Sequence, residues 1–317
     1  MYDIIGDIHG HAEPLKMLLE KLGYADSKGS WYHQERKVIF VGDYIDRGPA
    51  IRETLQIIKS MTDAGSAIAL LGNHEYNAMA YHHKGDGIPL RKNNEKNTKQ
   101  HESTLAQFWF HREEWQMYLD WFYTLPLFFE DKGIRVVHAC WDEDHIQWLK
   151  DNFRPTANTL QKAHNKSVTM NIELLIASHN KKSTAYEVIN DTLKGKEFDI
   201  PEQYTWKDKD GHLRKSNRSK WWVEPHANVY ENWLFDCHLE MKAQQVDSSS
   251  KPYVYPADAP PVFFGHYWME DKYPVIQDKN VICLDYSIAR EGSLVAYRWS
   301  GEQELDAKNF MSVDYKE

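Results

Sequence analysis

The chain has 317 residues, 42% of them hydrophobic and 13% aromatic, which is enough apolar material for one large domain or two small ones. This composition excludes disorder as the main state, and the formal net charge of -9 excludes a global electrostatic footprint for nucleic acid. No apolar run approaches the ~18 residues that a membrane span needs, and the first ten residues lack the pattern of a signal peptide. We therefore expect a cytoplasmic protein with no membrane partner.

The first seventy or so residues alternate between strand and helix patterns. The run YDIIGD predicts a short strand, and leucines at helical spacing predict a helix after it. The pattern repeats with a buried-type strand in KVIFVGD, a helix with Ile51, Leu55 and Ile58 on one face, and a third strand in SAIALLGN. Because alternating strands and helices are typical of a largely parallel sheet, we predict an α/β fold.

The rest of the chain is less regular. Residues 84–103 are polar and lack a period, which predicts a long mobile loop, and a long aromatic helix is predicted from Thr104 to Tyr123. A strand follows in GIRVVHACW, and strand signals then thin out from residue 142 to about 259. We interpret residues 142–259 as a helical cap inserted into a single domain that spans residues 1–317. Late strands are predicted in PVFFGHYW, NVICLDYS and SLVAYRWSG.

Side chains of the metal-binding type follow the predicted strands one after another. They are Asp7 and His9 after the first strand, Asp43 after the second, Asn73 and His74 after the third, and His138 and His266 on later strands. Sites in open α/β sheets assemble outside the carboxyl ends of the strands, so we expect these side chains to converge. A mixture of Asp, His and Asn suits Mn, Fe or Zn. The three cysteines form no CxxC motif, which argues against a cysteine-only zinc site.

These residues lie in five short motifs: GDIHG, GDYIDRG, GNHE, HA and GH, in that order. The motifs and their order resemble the calcineurin-like metallophosphoesterases. The wording GDYIDRG is most similar to the phosphoprotein phosphatase branch, which includes protein Ser/Thr phosphatases and symmetrical dinucleoside tetraphosphatases. Many metallophosphoesterases carry GHxH at the last motif, whereas this chain has GHYW, so Trp268 cannot serve as a ligand there. The resemblance implies a four-layer α/β/β/α sandwich, here with a helical cap.

The resemblance also implies a dinuclear metal site. Asp7 and His9 would hold the first ion, Asp43 would bridge both, and Asn73, His138 and His266 would complete the second. A hydroxide that bridges the two ions would then attack phosphorus in line. Manganese is the expected metal, with iron or zinc as alternatives.

Other residues would bind the phosphate and supply a proton. The resemblance implies that His74 is the proton donor, that Asp46 orients its imidazole, and that Arg47 is a cationic fork for the phosphate. Asn73 and His74 would also contact the phosphate. Arg214 and Arg218 are the candidates for a second phosphate-binding arginine, with Arg218 preferred. Arg218 belongs to a basic segment, Trp206 to Lys220, that is either a solvated loop or a phosphate-recruiting strip with Trp221 or Trp222 stacked on the substrate.

We therefore predict a metal-dependent phosphoesterase, and within that class a phosphatase that acts on a phosphoprotein or a small phosphomonoester. A dinucleoside tetraphosphate hydrolase with the same metals is the alternative. A binding module on the same scaffold is a third hypothesis, disfavoured because every expected ligand is present. A nucleic-acid end-healing enzyme is a fourth, disfavoured by the net charge. The other histidines, among them His82 and His179, are expected on solvated faces.

Overall fold

The computed structural model describes residues 1–27, 29–85, 87–131, 133–153, 167–207, 213–224, 228–235, 237, 240–246 and 253–315. The first half forms, in chain order, β1 (Tyr2–Ile5), α1 (Ala12–Lys21), β2 (Ala25–Ser27), β3 (Ser30–Tyr32), β4 (Lys37–Phe40), α2 (Ile51–Asp63), β5 (Ala67–Ala69), α3 (Asn73–His82), β6 (Lys84–Gly85), β7 (Ile88–Pro89), α4 (Glu95–Gln107), α5 (Arg112–Phe122), β8 (Phe128–Asp131) and β9 (Ile134–Val137). The second half forms α6 (Glu143–Asn152), α7 (Ile172–Ala177), α8 (Thr184–Lys194), β10 (Glu197–Asp199), β11 (Trp206–Lys207), β12 (Leu213–Arg214), β13 (Ser216–Arg218), α9 (Tyr230–Trp233), β14 (Val262–Phe264), β15 (Val281–Cys283), β16 (Asp285–Tyr286), β17 (Ser293–Trp299) and β18 (Phe310–Asp314). Among the described residues, no helix is long and apolar enough to cross a membrane.

Six strands form the first of two large sheets. Its order is β16-β17-β1-β4-β5, and β18 pairs with β17. Strands β1, β4 and β5 run parallel, as the repeated strand–helix pattern predicts, while β17 is antiparallel to β1. Helix α2 connects β4 to β5 and buries Ile51, Leu55 and Ile58. The parallel strands therefore end at one edge of the sheet, where the loops after β1, β4 and β5 meet.

A second sheet of four strands has the order β15-β14-β9-β8. Strand β14 is parallel to both of its neighbours, β9 and β15. The two sheets touch through aromatic rings: Tyr2 on β1 lies 5.3 Å from Phe129 on β8, and Phe263 on β14 lies 5.1 Å from Tyr297 on β17. Helices α1 and α2 contact the first sheet, while the residues that follow β9 bond to α8 through the amide of Ala139 and the carbonyl of Thr192. The predicted α/β class is confirmed.

The expectations for residues 84–123 are partly wrong. Residues 95–107 form helix α4 rather than a loop, and the aromatic helix begins at Arg112, after a break at residues 108–111. The side chain of Asn94 caps α4 by accepting a hydrogen bond from the amide of Asn97 at 2.9 Å. Only His101 and Thr104 of α4 are buried. So narrow a buried face, made of polar residues, leaves no apolar period in the sequence.

The predicted cap contains helices α6 to α9 and two small two-stranded sheets, β10 with β13 and β11 with β12. Part of it has a small core of its own, formed by Ile200, Tyr230, Trp233, Leu234, Met241 and Val246. Trp221 and Trp222 instead pack into the main core with exposed fractions of 0% and 4%, so the idea that they stack on a substrate is wrong. The boundaries of the cap remain a prediction, and residues 154–166, 208–212 and 247–252 within it lie outside the described residues.

Candidate active site

The loops at the ends of the strands have an unusual backbone. His9, Asp43, Asp46, Arg47 and His266 all have positive φ angles, between 46° and 67°. The left-handed region is uncommon for residues other than glycine, and such strained residues cluster at functional sites. All five lie just beyond β1, β4 or β14. The strain therefore falls at the edge where the predicted ligands should converge.

Asp43 lies at the centre of two groups of ligand-type atoms. One group is His9, Asp43 and His74, and the other is Asp43, His138 and His266, with the atoms of each group within 4.8 Å of one another. One carboxylate oxygen of Asp43 lies 3.6 Å from Nε2 of His9, and the other lies 3.4 Å from Nε2 of His138. A single carboxylate thus faces both groups, which is the arrangement that two adjacent cations require.

Asn73 and Asp7 complete the predicted ligand set from opposite sides. Oδ1 of Asn73 lies 3.0 Å from Nε2 of His138, so the amide joins the second group. Asp7 belongs to neither group by distance, and its carboxylate instead accepts a hydrogen bond from the backbone amide of His266 at 3.1 Å. Gly265 permits this contact, because a Cβ at that position would lie 1.9 Å from Oδ1 of Asp7. The six predicted ligands therefore lie together, with Asp7 at the margin.

The histidines present the form that binds metals. Nδ1 of His9 and Nδ1 of His138 each lie 2.9 Å from a backbone carbonyl oxygen, that of Ile45 and that of Val41. A carbonyl only accepts hydrogen bonds, so Nδ1 would carry the proton in the neutral form of both rings. A cation would then lie between Nε2 and the oxygens that face it, which are those of Asp43 and, at His138, also Oδ1 of Asn73. Burial also lowers the pKa of both imidazoles, which keeps them neutral.

Buried negative charge gives a second indication that cations fit here. Asp7, Asp43 and Asp285 are at most 3% exposed, and burial together with the charges of Asp285 and Asp43 raises the pKa of Asp7 well above its ordinary value. One carboxylate oxygen of Asp285 has no hydrogen-bond partner among the described residues. Carboxylates buried together destabilise one another unless a cation or a proton neutralises them. The donor set therefore fits a pair of divalent cations.

His74 and Asp46 form a short hydrogen-bonded pair beside this cluster. Nδ1 of His74 lies 2.5 Å from Oδ2 of Asp46, and Nε2 of His74 lies 3.9 Å from Asp43. Burial opposes the charged form of His74, but the charges of Asp43 and Asp46 outweigh it and raise the pKa of the imidazole. Burial likewise opposes the charge of Asp46, yet hydrogen bonds from His101 and His74 hold the pKa of that carboxyl below its usual range. Such an imidazole is suited to carry a proton.

Two of the three predicted arginines lie beside these residues. Nη2 of Arg47 is 3.4 Å from Nε2 of His74, and Nη1 of Arg218 donates a hydrogen bond to the carbonyl of His266 at 3.0 Å. Arg214 lies in β12, which pairs with β11 in a separate small sheet. Arg218, the preferred of the two cap candidates, is thus in contact with a predicted ligand residue.

Comparison with known families identifies this arrangement. A sequence model of the family described as calcineurin-like phosphoesterase matches residues 2–267, which include every predicted ligand. The chain belongs to this family. The calcineurin-like phosphoesterases depend on two metal ions, in agreement with the two ligand groups that share Asp43.

Curated relatives match shorter parts of this phosphoesterase. One is the asymmetrical bis(5'-nucleosyl)-tetraphosphatase PrpE of Halalkalibacterium halodurans, 40% identical over 23% of this chain and 30% of the relative. Another is a symmetrical bis(5'-nucleosyl)-tetraphosphatase of a Marinomonas species, 33% identical over 46% of this chain and 48% of the relative. The chain thus spans between about a third and a half of the length of these relatives. A protein serine/threonine phosphatase structure from Saccharomyces cerevisiae aligns with 100% of this chain and 79% of its own, with 12% identity and a TM-score of 0.47.

Sequence reasoning overlooked Glu75, the last residue of GNHE, although the motif contained it. Its buried carboxylate accepts hydrogen bonds from four backbone amides, those of Gly72, Asp43, Tyr44 and Ile45, at 2.8 to 3.3 Å. Three of these amides belong to the loop that carries Asp43. Glu75 therefore fixes the backbone of the central ligand without facing the ligand groups itself.

A second overlooked feature extends the pair of His74 and Asp46 into the helices. Oδ1 of Asp46 accepts hydrogen bonds from Nδ1 of His101 at 2.7 Å and from the hydroxyl of Thr104 at 2.6 Å. Nε2 of His101 lies 3.3 Å from Nε2 of His82, which also accepts from the indole of Trp115 at 3.1 Å.

The expectation that His82 decorates a solvated face is therefore wrong, and burial lowers its pKa to about 4. His179 also departs from that expectation, because its ring stacks on Tyr76 at 5.3 Å. No periodicity or motif in the sequence marked these contacts. Those of His82 join α3, α4 and α5, and that of His179 joins α3 to the residues after α7, in each case only after folding.

Proposed function

We propose that this phosphoesterase is a metal-dependent phosphatase that hydrolyses phosphomonoesters, on a protein or a small molecule. The observation that carries the proposal is the position of Asp43, whose two oxygens face separate ligand groups. Nε2 of His74, whose ring is paired with Asp46, lies 3.9 Å from Oδ2 of Asp43. A site with two cations, a proton carrier and arginines has the parts that phosphoryl transfer needs.

Asp7, His9 and Asp43 would hold one cation, and Asp43, Asn73, His138 and His266 would hold the other. When bound, two divalent cations lower the pKa of water and offset the negative charge of the phosphate. We propose manganese as the ion, with iron or zinc as the other ions that this mixture of nitrogen and oxygen ligands suits.

The protein's own groups would orient the substrate and move one proton. The guanidinium groups of Arg47 and Arg218 would bind phosphate oxygens, as would the amide of Asn73. The imidazole of His74 would donate the proton at Nε2 to the leaving oxygen, because its Nδ1 is held by Asp46. The carboxylate of Asp46 would fix the orientation of the ring and stabilise its charged form.

Hydrolysis of p-nitrophenyl phosphate tests this proposal. Metal-stripped protein is supplied in turn with Mn, Mg, Zn and Fe, and Asp43→Asn serves as the matched variant because asparagine keeps the acceptor for the amide of His74 at 2.9 Å. We expect activity restored by Mn and lost by ~10³-fold or more in the variant, since a bridging ligand supports several kcal/mol of stabilisation. Thermal unfolding of both proteins separates loss of the site from loss of the fold. A folded wild-type protein that binds two metals without hydrolysing any phosphomonoester would contradict the proposal.

The names of the relatives favour a second candidate. Two of them are bis(5'-nucleosyl)-tetraphosphatases, so hydrolysis of a phosphoanhydride in a dinucleoside tetraphosphate is the alternative activity. The same cations and the same His74 would serve both reactions. Turnover of phosphopeptides, p-nitrophenyl phosphate and diadenosine tetraphosphate under one set of conditions separates them, since the physiological class should have the highest kcat/KM.

A further inference from the structure

Three arginines from three separate segments surround one indole ring, that of Trp268. The guanidinium carbon of Arg290 lies 3.8 Å from the ring centre, that of Arg47 lies at 5.4 Å and that of Arg218 at 5.5 Å. Guanidinium groups are attracted to the face of tryptophan, which explains how one ring can gather several of them. We call these four residues the arginine cluster. No two of its guanidinium carbons lie more than about 11 Å apart, by addition of these distances.

The arginines of this cluster lack direct ion pairs. Among the described residues, none of the three arginines forms an ion pair with a carboxylate within 4.0 Å. Arg47 and Arg290 are exposed, and Arg218 is half-buried. The buried carboxylate of Asp285 attracts Arg47 and Arg218, but at longer range than an ion pair. Three cations so close together still repel one another, and an anion with several charges would reduce that repulsion.

Arg290 is held in place by a constrained turn. It ends the 3₁₀ turn Ile288–Arg290, which lies between two residues with left-handed backbone, Ser287 and Glu291. The side chain of Ile288 is 1% exposed and anchors the turn in the core. A Cβ at Gly292 would lie 2.1 Å from the carbonyl oxygen of Tyr286, so only glycine fits there. A preformed arginine loses little conformational freedom when it binds an anion.

Two of the three arginines in the cluster contact residues of the proposed metal centre or its proton donor. Arg47 contacts His74, and Arg218 contacts the carbonyl of His266, whereas Arg290 reaches the same indole with no hydrogen bond to a proposed ligand among the described residues. A phosphate at the metals would therefore meet Arg47 and Arg218, and Arg290 would remain for a further charge. Arg290 covers one face of the indole at 3.8 Å, so that face is not free to stack on a nucleobase.

We propose that Arg290 and Trp268 form a subsite for phosphate groups beyond the one that is attacked, so that the site prefers a linear chain of several phosphates. This inference rests on the proposed function, in which the attacked phosphate lies at the metals. It assigns to Arg290 and Trp268 the binding of anions with several linked phosphate groups, rather than of a simple monoester.

A plain surface pair elsewhere in the molecule gives the matched control. The guanidinium of Arg112 lies 5.6 Å from the ring of Trp109, which is 61% exposed. That pair has the same chemistry but contains one arginine, Arg112, which is the first residue of α5. Among the described residues, no contact joins the pair to a proposed ligand. Arg112→Ala therefore removes an arginine from a tryptophan without touching the cluster.

The experiment compares inorganic tripolyphosphate with orthophosphate. Their dissociation constants are measured by calorimetry for the Mn-loaded wild-type protein, Arg290→Ala and Arg112→Ala, with the free metal concentration held constant. We expect the wild-type protein to bind tripolyphosphate more tightly, and Arg290→Ala to reduce the ratio of the two affinities roughly tenfold, the usual effect of a lost charge-assisted contact. Arg112→Ala should leave that ratio unchanged.

A ratio that stays the same in Arg290→Ala overturns the subsite, whether both anions weaken equally or neither does. Equal affinity of the wild-type protein for both anions overturns it as well. Arg290→Lys adds a check on the chemistry, because it keeps one charge but loses the planar fork, and it should recover part of the ratio. Since these measurements need no turnover, inactivity toward p-nitrophenyl phosphate with every metal would count against the proposed function alone.

Discussion

Two halves of the candidate site are built in different ways. The ligand side consists of the loops after strands, with Asp7, His9, Asp43, His138 and His266, and several of its residues have left-handed backbone. The acid side consists of His74 and Asp46 with the helical residues His101, His82 and Trp115 behind them. The ligand side depends on local backbone geometry that glycines such as Gly265 permit, so it leaves short motifs in the sequence. On the acid side, His74 and Asp46 also lie in motifs, GNHE and GDYIDRG. Their support from His101, His82 and Trp115 depends on packing between helices, so it leaves no motif.

The largest effect is expected at His74, where the acid side meets the ligand side. His74→Asn should keep the metals but lower turnover by ~10²–10⁴-fold for substrates with poor leaving groups, the usual size of general acid catalysis. Steady-state rates with phenyl phosphate and metal content by elemental analysis check this. His83→Asn, at the end of the same helix, is the control. Unchanged turnover of phenyl phosphate in a folded variant would remove His74 from the mechanism.

Gly265→Ala tests the ligand side by itself. The added Cβ would lie 1.9 Å from Oδ1 of Asp7, so the carboxylate or the strand end must move. We expect metal affinity to fall by ~10–100-fold, similar to the loss of a group that orients a ligand. Calorimetric titration with Mn measures it. Gly85→Ala is the matched control, because among the described residues its Cβ would meet His83 alone, at an ordinary contact distance of 3.5 Å. Equal affinities in both variants would contradict the role of this close approach.

His101 tests whether the acid side needs its helical support. His101 bonds to Oδ1 of Asp46 and so fixes the carboxylate with Oδ2 toward His74. Without that bond the carboxylate can rotate, so His101→Ala should lower turnover by ~10-fold, the lower end of the range for supporting partners. The loss should be greater with phenyl phosphate than with p-nitrophenyl phosphate, because only the poorer leaving group needs the acid. His101→Asn can restore a donor near Nδ1 and should recover most of the activity. The same loss for both substrates would indicate a merely structural role.

The smallest effect is a pH dependence of stability at His82. The pKa of His82 is lowered from 6.5 to about 4, by burial first and then by the neighbouring charges of His101 and Lys84. Between these values the unfolded chain binds more protons than the folded protein, so this contribution to stability is present above about pH 6.5 and decreases as the pH falls toward 4. In His82→Gln, which keeps an acceptor for Trp115, the fall in melting temperature from pH 7 to pH 5 should be smaller by ~2–4 °C. An equal fall in both proteins would exclude His82 as the cause.

What could be predicted from the sequence differs between local features of the strand ends and contacts that form only between distant segments. The α/β class and several strand ends could be predicted because apolar runs alternate with helical patterns and end in Gly–Asp, Gly–Asn or Gly–His pairs. The ligand roles rest on the family resemblance and stay a prediction. Helix α4 could not, because its buried face consists of His101 and Thr104 rather than apolar residues. The prediction that Trp221 or Trp222 stacks on a substrate is wrong because it relied on the basic residues beside them in the sequence. Charge along the chain does not show which aromatic residues the folded protein buries in its main core. Arg290 lies about 240 residues after Arg47, and only the fold brings them to one ring.

The four amides held by Glu75 bear on how the protein acquires its metals. A buried side chain of the protein fixes the loop of Asp43 through these hydrogen bonds, so we expect the loop to be in place before a cation binds. Small metal-dependent domains, by contrast, unfold when a chelator removes their ion. We therefore expect that one ion can leave and another can enter while the chain stays folded. Metal availability, together with the general order of affinities among divalent metals, would then decide which ion occupies the site.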